Sequence, residues 1–180
     1  CNPFPIFPEH FTIPKITHTP QKLLSNFIDL LKLAKALGKY YSVFYNGPKC
    51  GASAPDHMHF QAGTKYFMPI ERDYENYIAK NKDIIISKND FSLFSIQSYL
   101  RNILMIESSS ESKIVELFNI FYSAYEKLFG NSVEPMMNVI AAFENEMWRI
   151  FIVPREKHRP DYYFVEGDDN ILLSPASVDI

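Results

Sequence analysis

Two histidines and a glutamine occupy alternate positions in the chain, at His57, His59 and Gln61. Successive side chains of a β-strand point to opposite faces, so a strand here would place these three polar groups on one face and Met58 and Phe60 on the core face. Imidazole has a reference pKa of about 6.5 and is largely neutral near pH 7, so it is a good nucleophile toward phosphorus. By spacing alone, an exposed polar face or a pair of metal ligands is equally compatible with the pattern.

A loop of small residues precedes this segment and favours a catalytic site. Residues 46–56 contain two glycines and two alanines, with Lys49 as the one cation. Glycine allows the backbone to approach a ligand closely. We therefore predict that Ser53 and the backbone around Gly51 bind phosphate oxygens, and that Lys49 either balances their charge or is solvated.

The three polar residues can be given different roles. His59 lies deeper in the predicted strand and is the candidate nucleophile, while His57 would orient it or bind phosphate oxygens. Covalent attack by an imidazole splits one displacement into two easier ones. A glutamine does not titrate, so Gln61 can donate to an oxyanion but cannot relay a proton. We predict that such a site protects its covalent intermediate from water.

A second group of candidates is basic. It follows an apolar run near the carboxyl-terminal end and consists of Arg155, Lys157, His158 and Arg159. A charge run in this position is either solvated or in contact with substrate phosphate; Arg155 and Lys157 are candidate substrate-binding residues. His10 and His18, which stand alone in a proline-rich segment, are expected to be structural or exposed.

Composition limits the classes of function. A chain of 180 residues can bury one sizeable core, and we interpret residues 1–180 as a single domain that is a fragment, truncated at one or both ends. The net charge of −3 argues against a nucleic-acid partner. No run approaches the ~18 to 20 apolar residues that span a bilayer, so no membrane partner is expected. Two cysteines are too few for a disulfide framework, which favours a cytoplasmic location.

The apolar pattern predicts two long helices. The first begins at Thr19–Pro20, a capping residue followed by a proline in the first helical position, and ends at Gly38. The second begins at a capping box of Ser108 and Glu111 and ends at Gly130. Its inner stripe is predicted to be core and contains Ile114, Leu117, Phe118, Phe121, Tyr125 and Leu128.

Alternating and short apolar runs predict the strands. An antiparallel hairpin is indicated by two runs on either side of Glu144-Asn145-Glu146. The predicted strands are 11–13, 41–45, 56–63, 84–87, 103–107, 137–143 and 148–153. Hairpins with two intervening helices indicate an α+β domain with a mostly antiparallel sheet.

The pattern His57-x-His59-x-Gln61 resembles the active-site motif of the galactose-1-phosphate uridylyltransferase branch of the histidine-triad superfamily, in which glutamine stands where the hydrolases have a third histidine. Residues 56–62 are most similar to the phosphorylase members, namely GDP-hexose and diadenosine tetraphosphate phosphorylases. Residues 2–13 also resemble the segment with which this superfamily holds the nucleoside. The specific part of the likeness covers residues 1–63, and residues 154–160 and 173–180 are only loosely similar to phosphorylase segments.

The resemblance implies a histidine-triad-like fold, a mostly antiparallel sheet flanked by two long helices. It also implies a nucleotidyl intermediate on His59, with Gln61 and Ser53 on its phosphate and Asn2 near the ribose. In the uridylyltransferases proper, His-Pro-His follows Ser-x-Pro, whereas here Asp56 intervenes and Met58 replaces the proline. The branch's uridylyl specificity is therefore not carried over.

The expected partners are a nucleoside diphosphate sugar or a dinucleoside polyphosphate, with inorganic phosphate or a sugar phosphate as acceptor, and a homodimer is left open. No cofactor and no tightly held zinc are expected, since two distant cysteines cannot supply the cysteine and histidine set that several relatives use. Two alternatives remain: a hydrolase of the same superfamily and a catalytically silent nucleotide-binding module. A simple metal-binding protein is the least favoured interpretation.

Overall fold

Eight strands form one antiparallel sheet in the computed structural model, which describes residues 1–96, 99, 101–129 and 134–167. The order across the sheet is β1-β3-β2-β7-β8-β6-β5-β4. The strands are β1 (His10–Pro14), β2 (Tyr41–Asn46), β3 (His59–Thr64), β4 (Asp83–Ser87), β5 (Phe91–Ile96), β6 (Ile103–Ser108), β7 (Met137–Glu144) and β8 (Met147–Pro154). The predicted α+β class with a mostly antiparallel sheet is confirmed.

Three helices accompany the sheet in the described residues, in place of the two long helices expected. They are α1 (Phe27–Leu37), α2 (Pro69–Asn76) and α3 (Glu111–Phe129). The first and third correspond to the predicted helices and pack on one face of the sheet, where the rings of Phe27 and Phe118 stack at 3.7 Å. The short, largely polar α2 was not predicted and packs on the opposite face through Ile70 and Tyr74.

The predicted start of the first helix is wrong. After Thr19–Pro20 the chain makes a 3₁₀ turn at Leu24–Asn26, and α1 begins only at Phe27. The side chain of Gln21 is bonded to strand backbone rather than to a helical turn. The predicted end is correct, because α1 stops at Leu37 with Gly38 as the capping residue.

The predicted capping box of the second helix is also wrong. Ile114 N–H donates to the Ser110 carbonyl, so the helix begins after Ser110, and the Ser108 hydroxyl instead accepts from Ser110 N–H at 2.9 Å. Leu128 is 77% exposed and does not belong to the core stripe. Gly130, the predicted end, lies outside the described residues, as do residues 173–180 of the loosely similar carboxyl-terminal segment.

The hairpin predicted between the two apolar runs is confirmed as β7 and β8. Glu144 pairs with Met147, and the two residues between them, Asn145 and Glu146, have φ of 51° and 58°. Positive φ at both central residues is the geometry of a type I′ turn, whose twist matches that of paired strands. Strand β5 was not predicted.

The sheet separates two groups of buried side chains. Met58, Phe60 and Ala62 face the core formed with α1 and α3, as the alternation predicted. His59 and Gln61 therefore lie on the other face, which α2 covers at its far end. The strand begins at His59 rather than at Asp56, so His57 is not part of the alternating segment. No helix among the described residues is long and apolar enough to cross a membrane.

Candidate active site

A cavity of about 450 Å³ opens on the face of the sheet opposite α1 and α3. Its walls come from residues 1–9, which we call the amino-terminal arm, from β1, β2 and β3, from the small-residue loop and from the segment after β8. Thirteen described residues line it, namely Asn2, Pro3, Phe4, Ile6, His10, Thr12, Asn46, Gly51, Ala52, Ser53, Gln61, His158 and Arg159. The structure thus brings together four of the predicted site residues, which are Asn2, Gly51, Ser53 and Gln61.

The imidazole of His59 is held in one tautomer by the backbone. Its Nδ1 lies 2.8 Å from the His57 carbonyl oxygen, which can only accept, so Nδ1 is a donor and, in the neutral ring, Nε2 has the lone pair. The residue is 3% exposed. Among the described residues, none hydrogen-bonds Nε2. A buried polar atom without a partner is rare, and such an atom can serve as an acceptor or a nucleophile.

His59 lies beneath the cavity wall rather than in it. Its neighbours on the same face, Gln61 two positions along β3 and Asn46 at the end of β2, both line the cavity. The register brings Thr12 of β1 opposite Gln61 and Pro14 opposite His59. The backbone position of His59 is therefore two residues, about 7 Å along the strand, from that of the lining residue Gln61.

Gln61 has a defined orientation because of His10. Nδ1 of His10 accepts from Ile6 N–H at 3.2 Å, so its Nε2 is protonated and donates to Gln61 Oε1 at 2.7 Å. With its oxygen engaged, the Gln61 amide nitrogen is left for a ligand. Burial lowers the pKa of His10, although the hydrogen bond to Gln61 opposes this shift. His10 was expected to be structural or exposed; it is only 4% exposed and belongs to the site.

Asn2 ties the amino-terminal arm to this pair. Its backbone N–H donates to the His10 carbonyl at 2.8 Å, and its side-chain oxygen accepts from Phe4 N–H at 2.9 Å. Its side-chain nitrogen lies 3.5 Å from Gln61 Oε1. The arm is therefore fastened at the cavity, which Asn2 lines.

A network of hydrogen bonds between polar groups holds the small-residue loop in place. Asn138 of β7 donates to the side-chain oxygen of Asn46 and to the Cys50 carbonyl, both at 2.8 Å. Arg155 donates to Asn138 Oδ1 at 2.8 Å and to the His158 carbonyl at 2.7 Å. Arg155 does not line the cavity. It holds the lining residue His158 directly, and it holds Asn138, which in turn holds the lining residue Asn46.

Three of the predicted site residues point elsewhere. His57 donates from Nε2 to the Lys15 carbonyl at 2.8 Å, and its ring lies 4.8 Å from that of His18. Lys49 is exposed and is not a lining residue. Lys157 forms an exposed ion pair with Asp161 at 2.7 Å. The cavity is lined instead by the next two residues along the chain, His158 and Arg159.

The described residues contain no group of three or more histidine, cysteine or acidic side chains placed to hold a metal ion. Cys1 is exposed, Cys50 is buried, and neither forms a disulfide.

Sequence reasoning missed His10 and Gln21. One signal for His10 was available: it is two positions before Thr12, so in a strand covering 11–13 both point to the same face. That face is the one Gln61 occupies, because the register pairs Thr12 with Gln61. Gln21 had no such signal, since its role depends on a contact 38 residues along the chain.

Residues 1–64 match the model of a family described as a domain of unknown function, DUF4922. This region holds the arm, the loop and the histidine segment. No curated protein matches the chain.

Solved structures with a similar fold include a DUF4931 family protein from Bacillus cereus, with a TM-score of 0.56 and 20% identity over 97% of this chain and 87% of that one. Yeast Ap4A phosphorylase in complex with AMP gives a TM-score of 0.56 and 21% identity over 89% of this chain. Its complex with Ap4A gives a TM-score of 0.56 and 20% identity over 88% of this chain. This chain spans 57% and 56% of the yeast chains. At this identity the likeness shows a shared fold, as the superfamily resemblance implied.

Proposed function

We propose that the protein is a nucleotidyltransferase or phosphorylase that cleaves a nucleoside diphosphate sugar or a dinucleoside polyphosphate through a covalent nucleotidyl-histidine intermediate on His59. One observation carries the proposal: His59 Nε2, which has the lone pair in the neutral ring, is buried and without a partner among the described residues, and the neighbouring Gln61 of the same strand lines a cavity large enough for a nucleotide.

In the first step, Nε2 attacks the α-phosphorus of the bound substrate. A P–N bond forms, and the bond from the α-phosphorus to the bridging oxygen breaks, so that the leaving group departs as a sugar phosphate or a nucleotide. Nδ1–H keeps its bond to the His57 carbonyl, which stabilises the positive charge that develops on the ring. His57 therefore acts through its backbone rather than its ring.

In the second step, inorganic phosphate or a sugar phosphate attacks the same phosphorus. A new P–O bond forms, the P–N bond breaks, and the imidazole is regenerated with its lone pair on Nε2. Phosphate as acceptor makes the reaction a phosphorolysis, and hexose phosphate makes it a transfer. Water is a poor competitor, because Gln61 cannot remove its proton.

The cavity residues bind the substrate around this centre. The free amide nitrogen of Gln61 donates to a nonbridging oxygen, and the Ser53 hydroxyl and the backbone at Gly51, which has φ of 91°, bind the others. Asn2 lies near the ribose. Arg159, which lines the cavity, supplies positive charge, in the role that the sequence had suggested for Lys49 and Lys157.

The shared fold adds support, since the yeast protein of similar architecture was crystallised with AMP and with Ap4A. It does not identify the base, the acceptor or a homodimer for this chain. The base and the acceptor are determined by the turnover assay that follows.

Turnover assays with a panel of nucleoside diphosphate sugars and dinucleoside polyphosphates test the proposal. Each substrate is incubated with phosphate, with hexose phosphate and without acceptor, and products are separated by chromatography. We expect products only with an acceptor, and none from His59→Ala. Nucleotide release without acceptor would indicate a hydrolase instead. Equal turnover by wild type and His59→Ala would refute the proposal.

A further inference from the structure

The hydrogen-bond ladder is incomplete where His59 enters the sheet. The pairing of β2 with β3 runs from Tyr41 opposite Thr64 to Phe44 opposite Gln61 and goes no further. On the other side, Pro14 of β1 lies opposite His59 as a non-hydrogen-bonded pair, flanked by the bond from Lys15 N–H to the Met58 carbonyl, so the His59 N–H and carbonyl both face away from β1. The strand position that carries the nucleophile would thus begin with unsatisfied backbone groups, which is costly in a buried place.

The side chain of Gln21 fills this gap. Its Oε1 accepts from His59 N–H at 2.8 Å, and its Nε2 donates to the His59 carbonyl at 3.0 Å. The same nitrogen donates to the Asn46 carbonyl at 3.0 Å, at the end of β2. A carboxamide has the acceptor and donors of a peptide group, so Gln21 takes the place of the strand residue that is missing between β2 and β3.

Gln21 is itself fixed on both sides. It is 1% exposed. Its N–H donates to the Pro55 carbonyl at 3.2 Å, and its carbonyl accepts from the Tyr45 hydroxyl at 3.2 Å. The carboxamide therefore has little freedom to move away from His59.

We propose that Gln21 is the positioning residue of the active site. By holding both backbone groups of His59, it sets where the imidazole sits and keeps Nδ1 in reach of the His57 carbonyl. By holding the Asn46 carbonyl, it fixes the cavity wall to the same point. The assignment of this role to catalysis rests on the proposed function of His59, whereas its effect on the imidazole can be measured separately.

The main test compares two leucine variants. Gln21→Leu keeps the size of the side chain and removes all three hydrogen bonds. Asn26→Leu is the matched control, since Asn26 is also a buried carboxamide of this segment, but among the described residues its side chain bonds only to Lys22 and Ser25 of its own turn. We expect Gln21→Leu to lower kcat by about 100-fold with little change in KM, as for misplacement of a reacting group by about 1 Å. Asn26→Leu should lose stability but keep kcat.

A ring measurement separates this proposal from the function. In ¹⁵N NMR spectra recorded at about pH 8, wild type should show His59 with a protonated Nδ1 and an unprotonated Nε2, and Gln21→Leu should show averaged signals of both tautomers. If this change is seen in a protein that forms no product, the positioning role stands and the proposed function fails. If the ring signals and kcat of Gln21→Leu match those of Asn26→Leu, the positioning role is wrong.

A second variant, Gln21→Glu, tests the proposal if Gln21→Leu does not fold. A protonated carboxyl can still accept from His59 N–H and donate to one carbonyl, while an ionised one is repelled by both carbonyl oxygens. Its kcat should therefore fall with rising pH relative to wild type. A pH profile parallel to that of wild type would overturn the proposal.

Discussion

His10 Nε2 donates to Gln61 Oε1 across 2.7 Å, joining two residues that are 51 positions apart. The bond exists because Ile6 N–H occupies the other ring nitrogen of His10. It leaves the amide nitrogen of Gln61 for the cavity. The amino-terminal arm thus determines which group of the Gln61 side chain on β3 a ligand meets.

Replacing Gln61 by histidine should change the fate of the covalent intermediate. An imidazole at this position can relay a proton, as glutamine cannot, so the nucleotidyl adduct of Gln61→His should decay faster in water without acceptor. Adduct decay followed by intact mass measures this, and a tenfold or greater acceleration is expected. The control Gln61→Met removes the amide donor and should slow formation of the adduct instead. Equal decay in Gln61→His and wild type would exclude the protective role of Gln61.

Acid should destabilise the fold through His10. Burial lowers the pKa of His10 in the fold below its ordinary value of 6.5. Above that pH the ring is neutral in both the folded and the unfolded protein, and its full contribution to the free energy of unfolding is present. As the pH falls, the unfolded protein takes up a proton first, and this contribution is lost as the pH passes through the pKa of the folded protein. The free energy of unfolding should drop as the pH falls below about 6.5. His10→Gln keeps the donor to Gln61 without titrating, and its drop should be smaller. Parallel curves for the two proteins would contradict this assignment.

Substitution of Arg155 should weaken nucleotide binding much more than substitution of Lys157. Arg155→Lys loses the paired donors to Asn138 and His158, so the cavity wall loosens and the Kd of a bound nucleotide should rise about tenfold, equivalent to about 1.4 kcal/mol. Lys157→Ala removes only an exposed ion pair and should leave Kd within about twofold. Isothermal titration with the same nucleotide measures both. A larger effect at Lys157 than at Arg155 would show that the lysine contacts the ligand directly, as the sequence had suggested.

Gly63 is the point at which β3 meets the arm. A Cβ at this position would lie 2.4 Å from the ring of Phe7, and Phe7 in turn packs edge-on against the His10 ring at 5.0 Å. Gly63→Ala should therefore destabilise the protein by about 1–3 kcal/mol through overpacking and weaken nucleotide binding. Adding Phe7→Leu should recover part of the stability lost, which chemical denaturation of the single and double variants measures. Additive losses would show that the two residues do not compete for space.

The sheet could largely be predicted because its central strands have strong local patterns. The runs that form β7 and β8 alternate regularly and meet at a two-residue turn, so the hairpin followed from sequence alone. Strand β5 and helix α2 were missed because neither has such a pattern: α2 is mostly polar, and it is held by the tertiary contacts of Ile70 and Tyr74.

The chemistry of the site could be predicted only in part. The spacing of His59 and Gln61 revealed the face that they share, but the bond from Gln61 to His10 and the one from His59 to Gln21 join segments far apart in sequence. His57 looked equivalent to His59 by spacing, and its ring turned away because the strand begins two residues later and the Lys15 carbonyl accepts its proton.

The most direct test of the account is the mass of the intact protein after brief incubation with each substrate, followed by peptide mapping. We predict a gain equal to one nucleotidyl group, located on His59, lost on addition of acceptor and absent from His59→Ala. A protein that binds nucleotide by calorimetry yet gains no mass, or that carries the group on another residue, would contradict the account.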